Sequence, residues 1–382
     1  MQRLPFSIPT KWLSAASEAK AYLRSDRRKP LSLQIREGAR LWREYGHFPY
    51  QYFKHRLYRQ ECRQDITSYV PPLLLRRYRD RLNPEPAREM TLNKLLYTQR
   101  MQGAGLPVVP ILATIGTEGW IRDTDEKQLS YDELIRRLAE RGLQEIFLKP
   151  THGCEGRGAR KLAVQSGALR YENEALTERS FFRLLFSGSE YRVFLLQPAV
   201  QQHRLLAQMN PSSVNTIRID ALRLDDGSIR SSGAFFRLGN GRDCVDNVSA
   251  GGYHIRVDLQ TGQLDPYAFG HLKYGIRQYE VHPVSGYRFA GVRLPFWTDL
   301  PPLLQAGMNA LTPLCYLGWD VAFTEKGLIL MEASAEHDLF VFQSAIGGLA
   351  DLAIGKAAMV RRKARSCHPD HPRPLKNASY AG

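Results

Sequence analysis

The chain has 382 residues, 43% hydrophobic and 10% aromatic, enough for two or three domains around a sizeable core. Lys and Arg number 53 against 38 Asp and Glu, and the resulting charge of +15 predicts an anionic partner: a nucleotide, a phosphorylated sugar, an acidic polymer, nucleic acid or a membrane surface. No apolar run approaches the roughly 20 residues that span a bilayer, the N-terminus lacks the apolar stretch of a signal peptide, and the five cysteines form no Cys-x-x-Cys pair. Spanning segments, zinc ribbons and disulfide frameworks are therefore not expected, and a reducing cytoplasm is the simplest home. The basic residues are dispersed on predicted helices with no nucleic-acid-binding motif, so nucleic acid is not expected as the partner.

Residues 1–88 read as a basic helical region. Thr10 is placed to cap a helix carrying Trp12, Leu13, Ala16, Ala19 and Leu23. A second helix is predicted over Leu31 to Tyr45, and a third over Pro49 to Tyr58. This region is expected to cap the rest of the chain, or to offer a surface to an acceptor or a membrane.

From about Thr91 the pattern turns mixed α/β, and residues 89–190 are expected to form one lobe. A helix is predicted from Thr91 to Ala104 with Gly105 as its C-cap, then a short strand from Pro107 to Ala113. A Ser-x-x-Glu capping box (Ser130, Glu133) opens a helix that runs to Arg141. The strand Glu145 to Lys149 runs into Lys149-Pro-Thr-His-Gly-Cys-Glu-Gly-Arg-Gly158. Gly153, Gly156 and Gly158 would let backbone N–H groups approach phosphate oxygens, and Lys149 would add a point charge. His152 lies in the same loop and could touch phosphate. The spacing is neither a Walker A nor a Gly-x-Gly-x-x-Gly fingerprint, and a plain glycine-rich turn fits it equally. A helix from Thr177 to Phe186 completes this lobe.

Residues 191–352 are expected to form a second lobe, beginning with a strand over Tyr191 to Gln197. The block Val214 to Leu264 reads as an antiparallel sheet. A two-residue Asp226-Gly227 turn would place Thr216 opposite Arg237, with Thr216, Arg218, Asp220 and Arg237 on one face and Ile217, Ile219 and Ala234 on the other. Two arginines on one face call for an anion, supplied either by Asp220 or by a phosphate. Asp246-Asn247 followed by Gly251-Gly252 suits backbone lying against a ligand, and equally a bulge. Residues 300–316 are expected to be helical.

The most informative stretch is a hairpin, Gly318 to Glu332, with Glu325-Lys326-Gly327 as its turn. If Thr324 faces Leu328, Asp320 lies opposite Glu332, roughly 4.5–5.5 Å away, while Val321, Phe323, Ile329 and Met331 line the other face. Facing carboxylates repel, so either a hard cation such as Mg2+ lies between them or the pair is solvated. Residues 353–382 are basic, polar and Pro-containing, and are expected to be disordered.

The order of these units resembles the ATP-grasp superfamily: Asn93-Lys94, Lys149 with its glycine loop, Leu195-Leu-Gln197, Arg218, Arg237, Asp246-Asn247 with Gly-Gly, then Asp320 and Glu332. The strings Ser213-Val-Asn-Thr-Ile-Arg-Ile219, Val245-Asp-Asn-Val-Ser-Ala-Gly-Gly252 and Gly318-Trp-Asp-Val-Ala322 look like blocks of the sugar-transfer-associated ATP-grasp family of bacterial polysaccharide loci. The resemblance runs over roughly residues 45–350 and extends, more distantly, to ribosomal-protein glutamate ligases. It implies an α+β fold of two lobes gripping ATP, with the helical N-terminal region added.

It also implies roles. Lys94 and Lys149 would bracket the ATP phosphates, and Gly153 to Gly158 would close over them. Gln197 would mark the adenine hinge. Arg218 and Arg237 would bind the γ-phosphate and an acyl phosphate. Asn247 would support substrate or phosphate, and Asp320 and Glu332 would ligate Mg2+. Two positions depart from the family pattern. Ser334 stands where an Asn ligand is usual, and Pro198 stands where an acidic residue often follows the hinge Gln. The implied activity is an ATP-dependent ligation of an anionic small-molecule or sugar-linked carboxylate. A phosphotransferase and a non-catalytic nucleotide-binding scaffold are the alternatives.

Overall fold

The computed structural model describes residues 22–350 except 24, 26, 63–64, 154–155, 243–245, 247, 249–250 and 271–277. Most of the helix expected after Thr10, the expected disordered tail and Asn247 lie outside the described residues.

Helices come first in the chain: α1 (Leu31–Tyr45), α2 (Tyr50–Lys54), α3 (Pro72–Leu82), α4 (Glu85–Leu92) and α5 (Lys94–Gly103). The third predicted helix, Pro49 to Tyr58, is cut to five residues, because the chain turns away at Arg56 with φ 54°. The predicted Thr91–Ala104 helix is instead two helices. Asn93 leaves helical geometry, and its side chain accepts from the Leu95 and Leu96 N–H groups, so it starts α5 as an N-cap. Gly105 follows the Ala104 cap at φ 68°, the left-handed geometry expected at that end.

Two eight-stranded sheets follow, antiparallel at every pairing among the described residues. The first holds β1 (Ala113–Gly116), β2 (Ile121–Arg122), β3 (Gln128–Leu129), β4 (Glu145–Pro150), β5 (Arg160–Gln165), β6 (Ala168–Tyr171), β7 (Glu174–Ala175) and β8 (Val193–Pro198), in the order β3-β2-β1-β8-β4-β5-β6-β7. β8 thus lies in the middle of the first sheet, although the sequence grouped it with the second lobe. Helices α6 (Tyr131–Glu140) and α7 (Glu178–Phe186) cover one face of this sheet. Ser130 caps α6 by accepting from Glu133 N–H, while the Glu133 side chain pairs with Arg137, so half of the expected box forms. Ile146, Leu148, Phe194 and Leu196 point into this core with Leu134, Leu138, Phe181 and Leu185. Period-two alternation then sends Glu145, Phe147 and Lys149 to the opposite face.

After α8 (Arg204–Met209) comes the second sheet: β9 (Thr216–Arg223), β10 (Ile229–Arg230), β11 (Ala234–Leu238), β12 (Tyr253–Val257), β13 (Ala268–Gly270), β14 (Gln278–Tyr279), β15 (Tyr316–Thr324) and β16 (Gly327–Ser334), with β9 between β11 and β15. Helix α9 (Leu300–Ala310) is shorter than predicted. Residues 311–313 instead form a turn that includes Pro313 and leads through residues 314–315 into β15, consistent with the steric bias of a residue preceding proline. One face of the sheet carries Ile217, Ile219, Phe236, Val321, Phe323 and Leu330 into the largest core. The other face carries Thr216, Arg218 and Asp220 and, further along, Leu222, Phe235 and Tyr316. These last three pack under α1, the α3 region and α10 (Leu339–Ile346) through Leu41, Tyr45, Leu75 and Phe342. The N-terminal helices therefore cap the same sheet face that bears the candidate site.

Both hairpin registers come out as expected, by a different route. Thr324 faces Gly327 across a two-residue turn, and a bulge between Asp320 and Val321 then restores Asp320 opposite Glu332. Leu328 and Leu330, not Ile329 and Met331, consequently join Val321 and Phe323 in the core. In the other hairpin the turn leaves Ile229 opposite Arg223, and an extra residue further on brings Arg237 opposite Thr216.

Candidate active site

A cavity of about 660 Å3 lies between the two sheets. From the first sheet, Phe147, Lys149, Lys161 and Gln197 line it. Phe147 pairs with Gln197 on one side and Lys161 on the other, so one strand register assembles this wall. The Lys161 ammonium sits 2.7 Å from Glu145. Gln197 is buried and donates to the Val109 carbonyl at 2.7 Å, which fastens the segment before β1 to β8. Its amide nitrogen is thus engaged within the protein, and Pro198 to Gln202 continue the cavity wall after it.

The glycine loop closes one end. Gly153, Gly156 and Gly158 all have positive φ, at 136°, 70° and 74°. Gly153 and Gly156 line the cavity, whereas Gly158 is pressed against the Tyr191 ring, where a Cβ would approach to 2.7 Å. Lys94 opens α5 and ties the loop to it: its N–H donates to Thr151 O at 2.8 Å and its ammonium to Gly153 O at 2.6 Å. His152 does not enter the cavity. It is exposed and pairs with Glu89 at 3.0 Å, away from the lining where a phosphate contact was expected.

The second sheet supplies the charged wall. Arg218 donates through Nε and Nη2 to both oxygens of Asp320, the Nη2 contact being 2.9 Å. Arg237 reaches Asp320 at 2.8 Å and Asp246 at 3.4 Å, and also donates to Thr216 Oγ1. Asp246 accepts from the Thr216 N–H and hydroxyl. The arginines' counterion is therefore Asp320, aided by Asp246. Asp220, the partner offered by the sequence, accepts instead from Ser232 and Gly233 N–H groups and the Tyr316 hydroxyl.

Burial and these charges set the protonation. Burial would raise the Asp320 carboxyl, but Arg218 and Arg237 outweigh it and hold it below the usual carboxylate range. Burial lowers Lys149 to about 8, with Lys94 adding to the fall and Glu332 opposing it. Burial also brings His337 down to about 3, helped by Arg218 and Arg79, so this imidazole is neutral. Its Nδ1 lies 3.3 Å from Ser334 O, while its buried Nε2 has no protein partner although the residue lines the cavity.

The facing pair Asp320 and Glu332 forms as predicted, yet its local cations are protein groups. Asp320 has its two arginines, and Glu332 lies 3.8 Å from the Lys94 ammonium. Among the described residues no group of three or more His, Cys, Asp and Glu is arranged to hold a metal. Mg2+ needs no such cage, since one or two carboxylates plus phosphate oxygens suffice. Two carboxylates with the Ser334 hydroxyl on the same cavity wall fit that requirement, provided Asp320 loosens its arginines.

Residues 74–354 match the sugar-transfer associated ATP-grasp family. The chain belongs to that family. The expected α+β ATP-grasp fold with a helical N-terminal region is thus present, in a superfamily of ATP-dependent ligases. The match starts after α1 and α2, later than the residue-45 limit read from the sequence. Similar solved structures include a D-cycloserine synthetase (16% identity, TM-score 0.44, 73% of each chain covered). A biotin carboxylase from Campylobacter jejuni is another (12% identity, TM-score 0.42, 72% of this chain and 47% of the carboxylase). A D-alanine-D-alanine ligase from Coxiella burnetii is a third (11% identity, TM-score 0.39, 72% of this chain and 60% of the ligase). The chain therefore spans less than two thirds of the carboxylase and of the ligase. No curated protein matches the sequence.

Lys94, Lys149, Gly153, Gly156, Gln197, Arg218, Arg237, Asp320, Glu332 and Ser334 all line one cavity of this ATP-grasp chain. Sequence reasoning missed Phe147, Met331 and His337. Phe147 could have been found from its alternation with Lys149. Met331 enters the cavity wall because the hairpin closes on a two-residue turn, Thr324 facing Gly327, which reverses the faces expected for residues 328–331.

Proposed function

We propose that this chain is an ATP-dependent ligase that activates a carboxylate as an acyl phosphate for attack by an amine or another nucleophile. The observation that carries the reading is the opposition of Lys149 and the glycine loop, on one cavity wall, to Arg218, Arg237, Asp320 and Glu332 on the other. The apolar part of the cavity, with Phe147, Val109 and Met331, suits a purine face, and its cationic part suits phosphates. The polysaccharide connection comes from the family's association with sugar transfer. It suggests a sugar acid or a sugar-linked acceptor.

In this reading a substrate carboxylate oxygen bonds to the γ-phosphorus as the bond to the ADP oxygen breaks. Lys149, Arg218 and Arg237 hold the oxygens on which charge accumulates. The nucleophile then adds to the acyl carbon, phosphate leaves with the former carboxylate oxygen, and an amine nucleophile loses a proton. Asp320, Glu332 and Ser334 would hold Mg2+, which when bound supplies positive charge to the phosphate oxygens. Phosphate binding gives the two guanidinium groups an alternative anion and so frees Asp320. Catalysis of this kind rests on positioning and electrostatics.

The test uses 18O-carboxylate substrates from pools of amino acids and sugar acids, with Mg-ATP and candidate acceptors. Substrate-dependent ADP release with 18O in the phosphate is expected. A stable phosphorylated hydroxyl product would replace this reading with phosphotransfer. ATP binding without turnover across all pools would favour a scaffold.

A further inference from the structure

Helix α1 lies outside the family match and carries more apolar surface than the core beneath it covers. Leu41 and Tyr45 face inward and are fully buried. Leu31, Ile35 and Trp42, at positions i, i+4 and i+11 with Gly38 between them, form a stripe on the outward side. They are 66%, 64% and 63% exposed, and Phe48 continues the stripe at 71%. A second outward stripe runs beside it: Arg36, Arg40 and Arg43, at i, i+4 and i+7, all exposed. Only Ser32 and Ala39 separate the two. The exposed side of one helix is thus itself amphipathic, large and aromatic on one flank and cationic on the other. Phe48 stacks on Phe53 at 6.1 Å between ring centres.

We propose that α1 and Phe48 form a docking surface for an anionic phospholipid bilayer. Helices that lie in a membrane interface combine an apolar stripe, Trp or Phe at its edge and Lys or Arg beside it. Arg36 and Arg43 have no ion-pair partner among the described residues, and Arg40 has only a loose, exposed contact with Asp65 at 3.4 Å. The charge is therefore available to lipid phosphates. The patch is one helical stripe and one phenylalanine, well short of the roughly 20–30 residues a side used by a stable protein interface. A second copy of the chain is accordingly the poorer fit. Lys54 also stands over the exposed Tyr50 ring at 5.3 Å, extending the basic-aromatic character past the helix. The proposal does not depend on the reaction. If it holds, the cavity works beside a lipid surface, where a lipid-linked acceptor would be concentrated.

The test is sedimentation of the full chain with vesicles of phosphatidylcholine alone or mixed with phosphatidylglycerol, at two salt concentrations. Binding to the anionic vesicles is expected, weakened by salt. Ile35→Glu with Trp42→Glu is expected to lower the partition by roughly tenfold or more, with the circular dichroism spectrum unchanged. Replacing Arg36, Arg40 and Arg43 together by Gln should remove most of the salt-sensitive part. In a second measurement, brominated acyl chains should quench a share of the tryptophan emission that Trp42→Phe removes. Three results would overturn the proposal: no binding to anionic vesicles, binding indifferent to the Ile35 and Trp42 pair, or no Trp42-dependent quenching. Conversion of a dimer to a monomer by the same pair, without vesicle binding, would assign the stripe to self-association instead.

Discussion

Arg218 and Asp320 stand opposite each other across β9 and β15 and share two hydrogen bonds, so the carboxylate expected to serve a cation already serves a guanidinium. Arg237 binds the same carboxylate from the neighbouring strand. Asp320 is therefore structural at rest as well as a candidate ligand.

The dual role predicts a stability effect separate from any effect on turnover. Asp320→Asn leaves two guanidinium groups short of a counterion. Losing one partner of a buried pair costs about 3–5 kcal/mol, and the lower end applies because the Arg218 side chain stays 19% exposed. Urea unfolding should show the loss. Adding Arg218→Met should recover part of it, since one excess charge goes too.

The same carboxyl sets a pH dependence. Its folded value is depressed, so its contribution is present above the unfolded value and is lost as pH falls through the folded one. Asp220 has the opposite sign. Burial raises it to about 6, so its burial costs nothing in acid and destabilises progressively as pH rises from the ordinary carboxylate value to about 6. Asp220→Asn should flatten that segment of the stability profile, and Asp320→Asn the more acidic one, in unfolding measured across pH.

Lys149 predicts a limit on nucleotide binding. Burial lowers its value to about 8, so the ammonium is increasingly neutral above pH 8. ATP affinity, read with a fluorescent analogue, should fall as pH rises past 8. In Lys149→Met it should be weaker throughout and lack that fall. Turnover should be abolished, as in Glu332→Gln, with the fold retained.

Gly158→Ala should disturb the loop. The new methyl would meet the Tyr191 ring at 2.7 Å and Pro150 at 3.0 Å, at a φ that alanine resists. Gly167→Ala has a similar φ of 73° with open space around it, and isolates the backbone cost, about 1 kcal/mol. Gly158→Ala should cost more than this in thermal unfolding and should also weaken ATP binding.

Asn83 ties the start of β15 to the chain just past the end of β16. It is fully buried, donating to Tyr316 O and Ala335 O and accepting from Cys315 and Tyr316 N–H groups. Asn83→Asp removes both donors and buries a charge, and Asn83→Ala strands four backbone groups. Each should cost about 3 kcal/mol or more in denaturant unfolding.

Much of this was legible in the chain. α1 carries its own period, Ser130 its own cap, and β4 its own alternation, so each declared itself locally. The facing of Thr216 with Arg237 and of Asp320 with Glu332 was also readable, because side-chain period two ties register to burial. The turns that produce those registers were not. The two-residue turn of the second hairpin moved Met331 from the core face to the cavity, and where the compensating bulge falls depends on what the neighbouring strand and core will accept. His152 illustrates the same limit: its loop announced phosphate chemistry, but Glu89, 63 residues earlier, claims the ring.

The sequence by itself determined the identity of the cationic and anionic residues, their order and their strand faces, because these depend on spacing along one segment. Only the tertiary structure decided which charges meet. Arg218 chose Asp320 over Asp220, β8 joined the first sheet, and the N-terminal helices settled on the site face. Each of these outcomes compares partners distant in sequence for burial and hydrogen-bond geometry, and that competition exists only once the two sheets stand against each other.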